Sequence, residues 1–322
     1  MYKSIKSLIP LSIKKRFPNS FKFKIKSYFE FDKIFNMQIG NNSFSIDIRN
    51  QSKTYGVIPV YYWDGLLNFG DLIGPYLLSK IANKPVLNIR STNLSGIYSV
   101  GSIIQMLDRP NATIWGSGLI EEPNDIVKKR IIKNAPNILT VRGHKTAEKL
   151  EELGFSLPDK EAFGDPALLL PLFYKPEIDR KNNIGVIPHY SHKNLFSKKN
   201  ENQINIIDVQ QDVEKVVKDI VSSTVCISTS LHGLIIAQAY GIPWVWLEIC
   251  DNNLVGDEFK FLDFFSTIEQ KEVIHVKVSE SEIGNMDFFE ISKLAKLPGS
   301  KYQPDLILEK IKIYLTEKEY II

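Results

Sequence analysis

Val225-Cys226-Ile227-Ser228-Thr229-Ser230-Leu231-His232-Gly233-Leu234-Ile235-Ile236-Ala237-Gln238-Ala239 reads as a strand that runs through three hydroxyl residues into a helix. The opening residues are short, apolar and β-branched, as in strands buried on both faces of a parallel sheet. Hydroxyls and free backbone N–H groups at the following helix start form an anion site. His232 falls in the first turn, beside that site. A lone histidine is usually structural, but one next to a phosphate-type loop is a candidate acid.

The same alternation extends on both sides. Strands are expected at 56–62, 112–115, 138–142, 184–188, 204–209, 225–228 and 244–248. Helical patterns lie between them. Val213, Val216, Val217, Ile220 and Val221 follow the i, i+3, i+4 rule and put one apolar stripe on a sheet. A second helix runs from about 145 to 153 and stops at Gly154. A third is expected over 304–315. Alternating strands and helices predict an α/β fold of doubly wound sheets. The stretch 171–183 interrupts the pattern with Pro171, Pro176 and a polar cluster, and reads as a linker between two Rossmann-like halves. The expected organisation is therefore a basic N-terminal extension (1–50), a first Rossmann-like domain (51–175) and a second (176–322).

Composition narrows the function classes. The chain has 322 residues, 43% hydrophobic and 24% charged, which is ordinary for a globular protein. Cys226 and Cys250 form no C-x-x-C pair and read as core residues of a reducing compartment. No apolar run reaches the roughly 18–20 residues needed to span a bilayer, and no signal peptide is visible, so a cytoplasmic location is expected. Residues 1–35 hold nine basic side chains against two acidic ones, a net of +7. With +3 overall, the rest of the chain carries −4. The basic residues alternate with Ile, Leu and Phe. This predicts either a segment that lies on an anionic membrane surface or a helix docked on the domain. Nucleic acid is not expected, because the body of the chain is acidic.

Ligands of doubly wound sheets bind beyond the carboxyl ends of the strands. Several polar clusters fall there, each with two readings. Asn68-Phe69-Gly70-Asp71 is either an ordinary helix start or a tight loop that lets a ligand reach the backbone. Gly116-Ser117-Gly118 is either a turn or a place of close ligand approach. Arg142, after a strand, either grips a carboxylate or phosphate or makes a structural ion pair. Asp165, between Gly164 and Pro166, either faces the cleft or caps its turn. His189 and Tyr190 end the first strand of the second half. His192 follows, but no acidic or Cys cluster supports an H-x-x-H metal pair, and no metal is expected.

In order and spacing, these segments resemble the polysaccharide pyruvyltransferase family over roughly residues 60–265. The resemblance implies two Rossmann-like domains facing a cleft, as in GT-B glycosyltransferases. It also implies phosphoenolpyruvate as donor and a pyruvate ketal on a sugar as product. Arg142 matches the family arginine that holds the donor, His232 the histidine of its S-x-R-L-H segment, and Lys260 the lysine that follows the next strand. Ser230 stands where many members have arginine. The implied site assigns His232, Asp71 and Asp165 to catalysis. It assigns Arg142, Ser228, Ser230, Lys260, Gly116 and Ser117 to the donor, and Asn68, His189 and Tyr190 to the acceptor. No cofactor beyond the donor substrate is expected. The expected acceptor is a lipid-linked precursor of a surface polysaccharide. Two other readings stand beside this one. A glycosyltransferase of the same architecture would use a nucleotide sugar, with Glu248 toward its ribose. A family member without catalysis would only bind carbohydrate.

Overall fold

The computed structural model describes residues 34–39, 42–47, 54–178, 183–196, 203–256 and 258–320. Most of the basic segment, residues 1–33, lies outside them, and with it the membrane expectation. The described part begins within the expected extension. Strands β1 (Ile34–Ile39), β2 (Asn42–Asp47) and β3 (Thr54–Tyr55) form an antiparallel sheet in that order. The pattern behind it is the alternation of Phe35, Met37 and Ile39 with polar residues, which the nearby lysines obscure.

Two five-stranded parallel sheets follow. The first contains β4 (Ile58–Tyr61), β5 (Val86–Asn88), β6 (Ile97–Tyr98), β7 (Thr113–Trp115) and β8 (Asn137–Thr140) in the order β5-β4-β6-β7-β8. The second contains β9 (Ile184–Ile187), β10 (Ile204–Ile206), β11 (Val225–Ser228), β12 (Trp244–Ile249) and β13 (His275–Val278) in the order β10-β9-β11-β12-β13. Numbered within each half, both orders are the same. The chain lays down an inner strand, steps outward to one edge, then returns and builds toward the other. In each sheet the direction of building reverses between the first strand and the third. Those two gaps, β4/β6 and β9/β11, are where a doubly wound sheet opens a crevice for ligands.

The longer helices are α1 (Phe69–Ala82), α2 (Asp125–Asn134), α3 (His144–Glu152), α4 (Val213–Val221), α5 (Leu231–Ala239), α6 (Phe259–Phe265) and α7 (Pro304–Glu317). In α4 the five predicted apolar residues are all buried, and the Asp212 side chain caps the helix by accepting from Lys215 N–H. Helix α5 is apolar on every side, and Leu231 through Gln238 are buried apart from His232, which is partly covered. It therefore lies inside the protein rather than on its surface.

One apolar cluster joins the halves. Ile58, Phe69, Ile73 and Leu77 of the first share it with Val216, Ile220, Leu234 and Ile235 of the second. The Tyr76 hydroxyl crosses the same boundary to donate to Glu214 Oε1 at 2.8 Å. Helix α7 lies in the span expected to form the second half, yet it packs on β8 and on the turn over Pro166–Leu169 of the first. Trp115 Nε1–H donates to Ile307 O at 2.9 Å and fixes it there.

Candidate active site

The two reversal gaps meet. Helix α1 starts just after β4 and helix α5 just after β11, and their first turns touch. Phe69 and His232 approach edge to face, with ring centroids 6.4 Å apart. A Cβ on Gly70 would collide with Nδ1 and Cγ of His232, so only glycine fits beneath this ring. The Phe69 N–H donates to Val209 O and fastens the start of α1 to the second half.

His232 also faces Asp165. Its Nε2 stands 4.0 Å from Asp165 Oδ2, with the imidazole 13% and the carboxylate 0% exposed. Neither atom has a hydrogen-bond partner. The other carboxylate oxygen, Oδ1, accepts from Ala167 N–H at 2.9 Å. Of the two readings the sequence left open, the turn cap is present in Oδ1, while Oδ2 is sealed from solvent and faces His232. Burial pushes its carboxyl up to about 6, against the opposing pull of the Ala167 N–H and Arg142. Burial and the positive charges of Arg142 and Lys260 push the His232 imidazole down to about 3. Asp71 is raised to about 6 by burial, and the Asn68 amide, donating to its Oδ2 at 2.9 Å, moderates the rise.

Arg142 stands at the carboxyl edge of the first sheet as expected, but its guanidinium turns inward. Nε donates to Asp263 Oδ2 at 2.9 Å, Nη1 to Ser102 Oγ at 2.6 Å and Nη2 to Leu119 O at 2.7 Å. Arg142 and Asp263 are each 0% exposed. Asp263 is further met by the N–H and hydroxyl of Thr146, at 2.8 and 2.7 Å. The structural ion pair is therefore present, and it ties α6 of the second half to the first.

The Gly116-Ser117-Gly118 segment serves this pair. A Cβ on Gly118 would run into the Arg142 guanidinium, and Gly116 has φ +71 with Pro166 against it. Ser117 Oγ donates to Gly101 O at 2.8 Å. These glycines admit the protein's own side chains close to the backbone.

In the second half, Ser228 Oγ bridges Ile187 O and Ser230 O, which shapes the turn into α5. Ser230 is the N-cap residue of α5, yet its hydroxyl makes no cap bond. Lys260 is 8% exposed and donates to Val255 O at 2.8 Å. The His189 and Tyr190 rings lie against each other at a tilt, with centroids 4.2 Å apart, and His189 Nδ1 meets Ser191 Oγ. Burial, with help from Lys260, pushes His189 down to about 3. His192 meets Thr229 Oγ1 through Nδ1 and Asn252 O through Nε2. Glu248 lines a neighbouring cleft with His192, Thr229 and Trp246, and pairs with Lys277 at 3.1 Å and His275 at 2.6 Å.

Asp263 and Ser102 were not among the expected site residues, and Gly70 was quoted only as part of its loop. Asp263 left a trace in the sequence. In Phe259-Lys260-Phe261-Leu262-Asp263-Phe264-Phe265, two opposite charges stand in an aromatic run, and a buried charge needs a partner.

A family model described as polysaccharide pyruvyl transferase matches residues 11–252. An uncharacterised protein of Acanthamoeba polyphaga mimivirus is 28% identical over 223 residues, covering 65% of this chain and 74% of that protein.

Proposed function

Since this chain belongs to the polysaccharide pyruvyl transferase family, we propose that it moves the enolpyruvyl unit of phosphoenolpyruvate onto a sugar hydroxyl pair and leaves a pyruvate ketal. What most supports this reading is the meeting of the two reversal gaps around His232. The site there brings Lys260 and Arg142 close to His232, together with the carboxyl of Asp165. It is formed by the start of α5 with the free hydroxyl of Ser230, by Lys260, and by Arg142 behind them.

The chemistry follows from those groups. The donor carries a carboxylate and a phosphate, which the helix start and Lys260 attract. The methylene carbon takes a proton from His232, and the adjacent carbon becomes oxocarbenium-like. A sugar hydroxyl attacks that carbon. Phosphate then leaves with the bridging oxygen and a proton, and a second hydroxyl closes the ketal. An acid at the methylene and anion stabilisation at the departing phosphate supply the rate. Arg142 contributes its charge from behind the reacting groups, because its hydrogen bonds are committed to Asp263, Ser102 and Leu119. Asn68, His189 and Tyr190 form the rim that receives the sugar, with Asp71 beside them. The acceptor in this reading is a lipid-linked precursor of a surface polysaccharide, approached from an anionic membrane face. Among the described residues no helix is long and apolar enough to cross a membrane.

The test is direct. Phosphoenolpyruvate at millimolar concentration or below should raise the melting temperature through selective binding to the folded state. Candidate lipid-linked oligosaccharides should gain the mass of one pyruvate ketal as phosphate is released. A melting shift with a nucleotide sugar, and none with phosphoenolpyruvate, would overturn the reading.

A further inference from the structure

Asp165 Oδ2 and His232 Nε2 are both sealed from solvent, both lack hydrogen-bond partners, and face each other across 4.0 Å. A native interior seldom leaves two polar atoms unmet side by side, so such a pair calls for a function. The imidazole has a second nitrogen, and Nδ1 lies over Gly70 at the start of α1, where the halves meet. The ring therefore spans from a buried carboxyl to the mouth of the crevice.

We propose that Asp165 and His232 form one proton-holding pair, in which Nε2 belongs to Asp165 and Nδ1 serves the donor over Gly70, so that donor binding draws one proton from solvent into the pair. The inference rests on the phosphoenolpyruvate reading. Asp165 is the positioning residue here, and His232 the catalytic one.

The charges around the pair give the direction. Arg142 and Lys260 both act on His232, and His189 lies within electrostatic reach. Arg142 and Asp263 act on Asp165 with opposite signs. At neutral pH the resting pair therefore holds a carboxylate and an uncharged imidazole. In that state it has no proton to give and sets a negative charge close to where an anion must bind. An incoming donor anion offsets Lys260 and Arg142 and makes proton binding favourable. The proton required by the methylene carbon thus arrives with the substrate that needs it. Linkage makes the effect reciprocal, so donor affinity falls as pH rises.

Calorimetric titration of the full chain with phosphoenolpyruvate would read this without any acceptor. It would be run at about pH 7.5, above the phosphate's own second ionisation at about 6, in two buffers of different ionisation enthalpy. The expected result is uptake of about one proton per donor bound. In Asp165→Asn and in His232→Gln the uptake should fall to less than about half, with donor still bound. Donor binding by the wild-type protein without proton uptake overturns the proposal even if no variant folds. Unchanged uptake in a folded Asp165→Asn protein also overturns it. Absence of any donor binding is a different result, and it removes the phosphoenolpyruvate reading itself.

Discussion

The two halves repeat one strand order but carry opposite chemistry at their strand ends. The first sheet's edge presents Asn68, Asp71, Gly101 and the Gly116–Gly118 turn, polar or small groups at which backbones approach closely, and its Arg142 is turned inward onto Asp263. The second presents His189, Ser228, Ser230, His232 and Lys260, which are hydroxyl, imidazole and ammonium groups. A shared topology supplies the same pair of crevices, and residue type alone divides the labour between them. The second half attracts an anion. The first closes over it with glycine and supplies carboxyl groups whose ionisation is easily displaced.

If that division is real, its centre should be the most sensitive point. His232→Ala should lower kcat by about 100-fold or more while the melting curve stays near wild type, as expected for loss of a proton donor. Steady-state rates and thermal melting measured on one preparation check both halves of the statement. Retention of most of kcat by the folded variant would place the acid elsewhere.

The joint between the halves should respond next, in stability. Arg142→Ala leaves Asp263 charged and buried with no counter-ion. Breaking such a pair from one side costs about 3–5 kcal/mol. Denaturant unfolding should show that loss. The double variant Arg142→Ala with Asp263→Ala should be more stable than Arg142→Ala alone, because it removes the stranded charge. Equal stability of the single and double variants would mean that the pair does not join the halves energetically.

A smaller effect separates the acidic edge from the basic one. Asp165 in the folded protein titrates at about 6, above its unfolded value. The folded state therefore binds the extra proton, and this group favours folding most below about pH 4 and least above about pH 6. Asp165→Asn removes the buried charge while its oxygen still accepts from the Ala167 N–H. It should be more stable than wild type at pH 8 by about 3 kcal/mol, a gain that fades as pH falls toward 4. His232 and His189, held low by burial, act in the opposite direction and lose stability as pH drops below about 6.5. Melting curves at several pH values would show whether the asparagine variant gains only on the alkaline side.

Much of this architecture was legible in the sequence, and the gaps have physical reasons. Strands such as Ile184–Ile187 and Trp244–Ile249 announce themselves because both faces are buried and the run is apolar, apart from Glu248 near the end of the second. β6 is only Ile97–Tyr98, too short to show a period although it sits in the middle of its sheet. β13 is an edge strand that turns Lys277 to solvent, so it lacks the continuous apolar run. The site positions could be anticipated because ligand loops follow strand ends. Their pairings could not, since Arg142 and Asp263 are 121 residues apart and nothing local predicts that they meet. For the same reason, an arginine expected to face an anion was found already holding one from the protein.

Helix α7 sets the order in which this protein can be made. Trp115 is fully buried beneath it, and among the described residues the indole N–H has its partner in Ile307. Ile307 also fills the space left above Gly164. On the ribosome the first sheet emerges long before residue 307, so its strands wait, partly uncovered, until Ile307 has been synthesised. The usual sequence, one domain folded before the next appears, does not apply here. A chain halted ahead of Pro304 would display the Trp115 face to chaperones and proteases even though every strand of both sheets had already been translated.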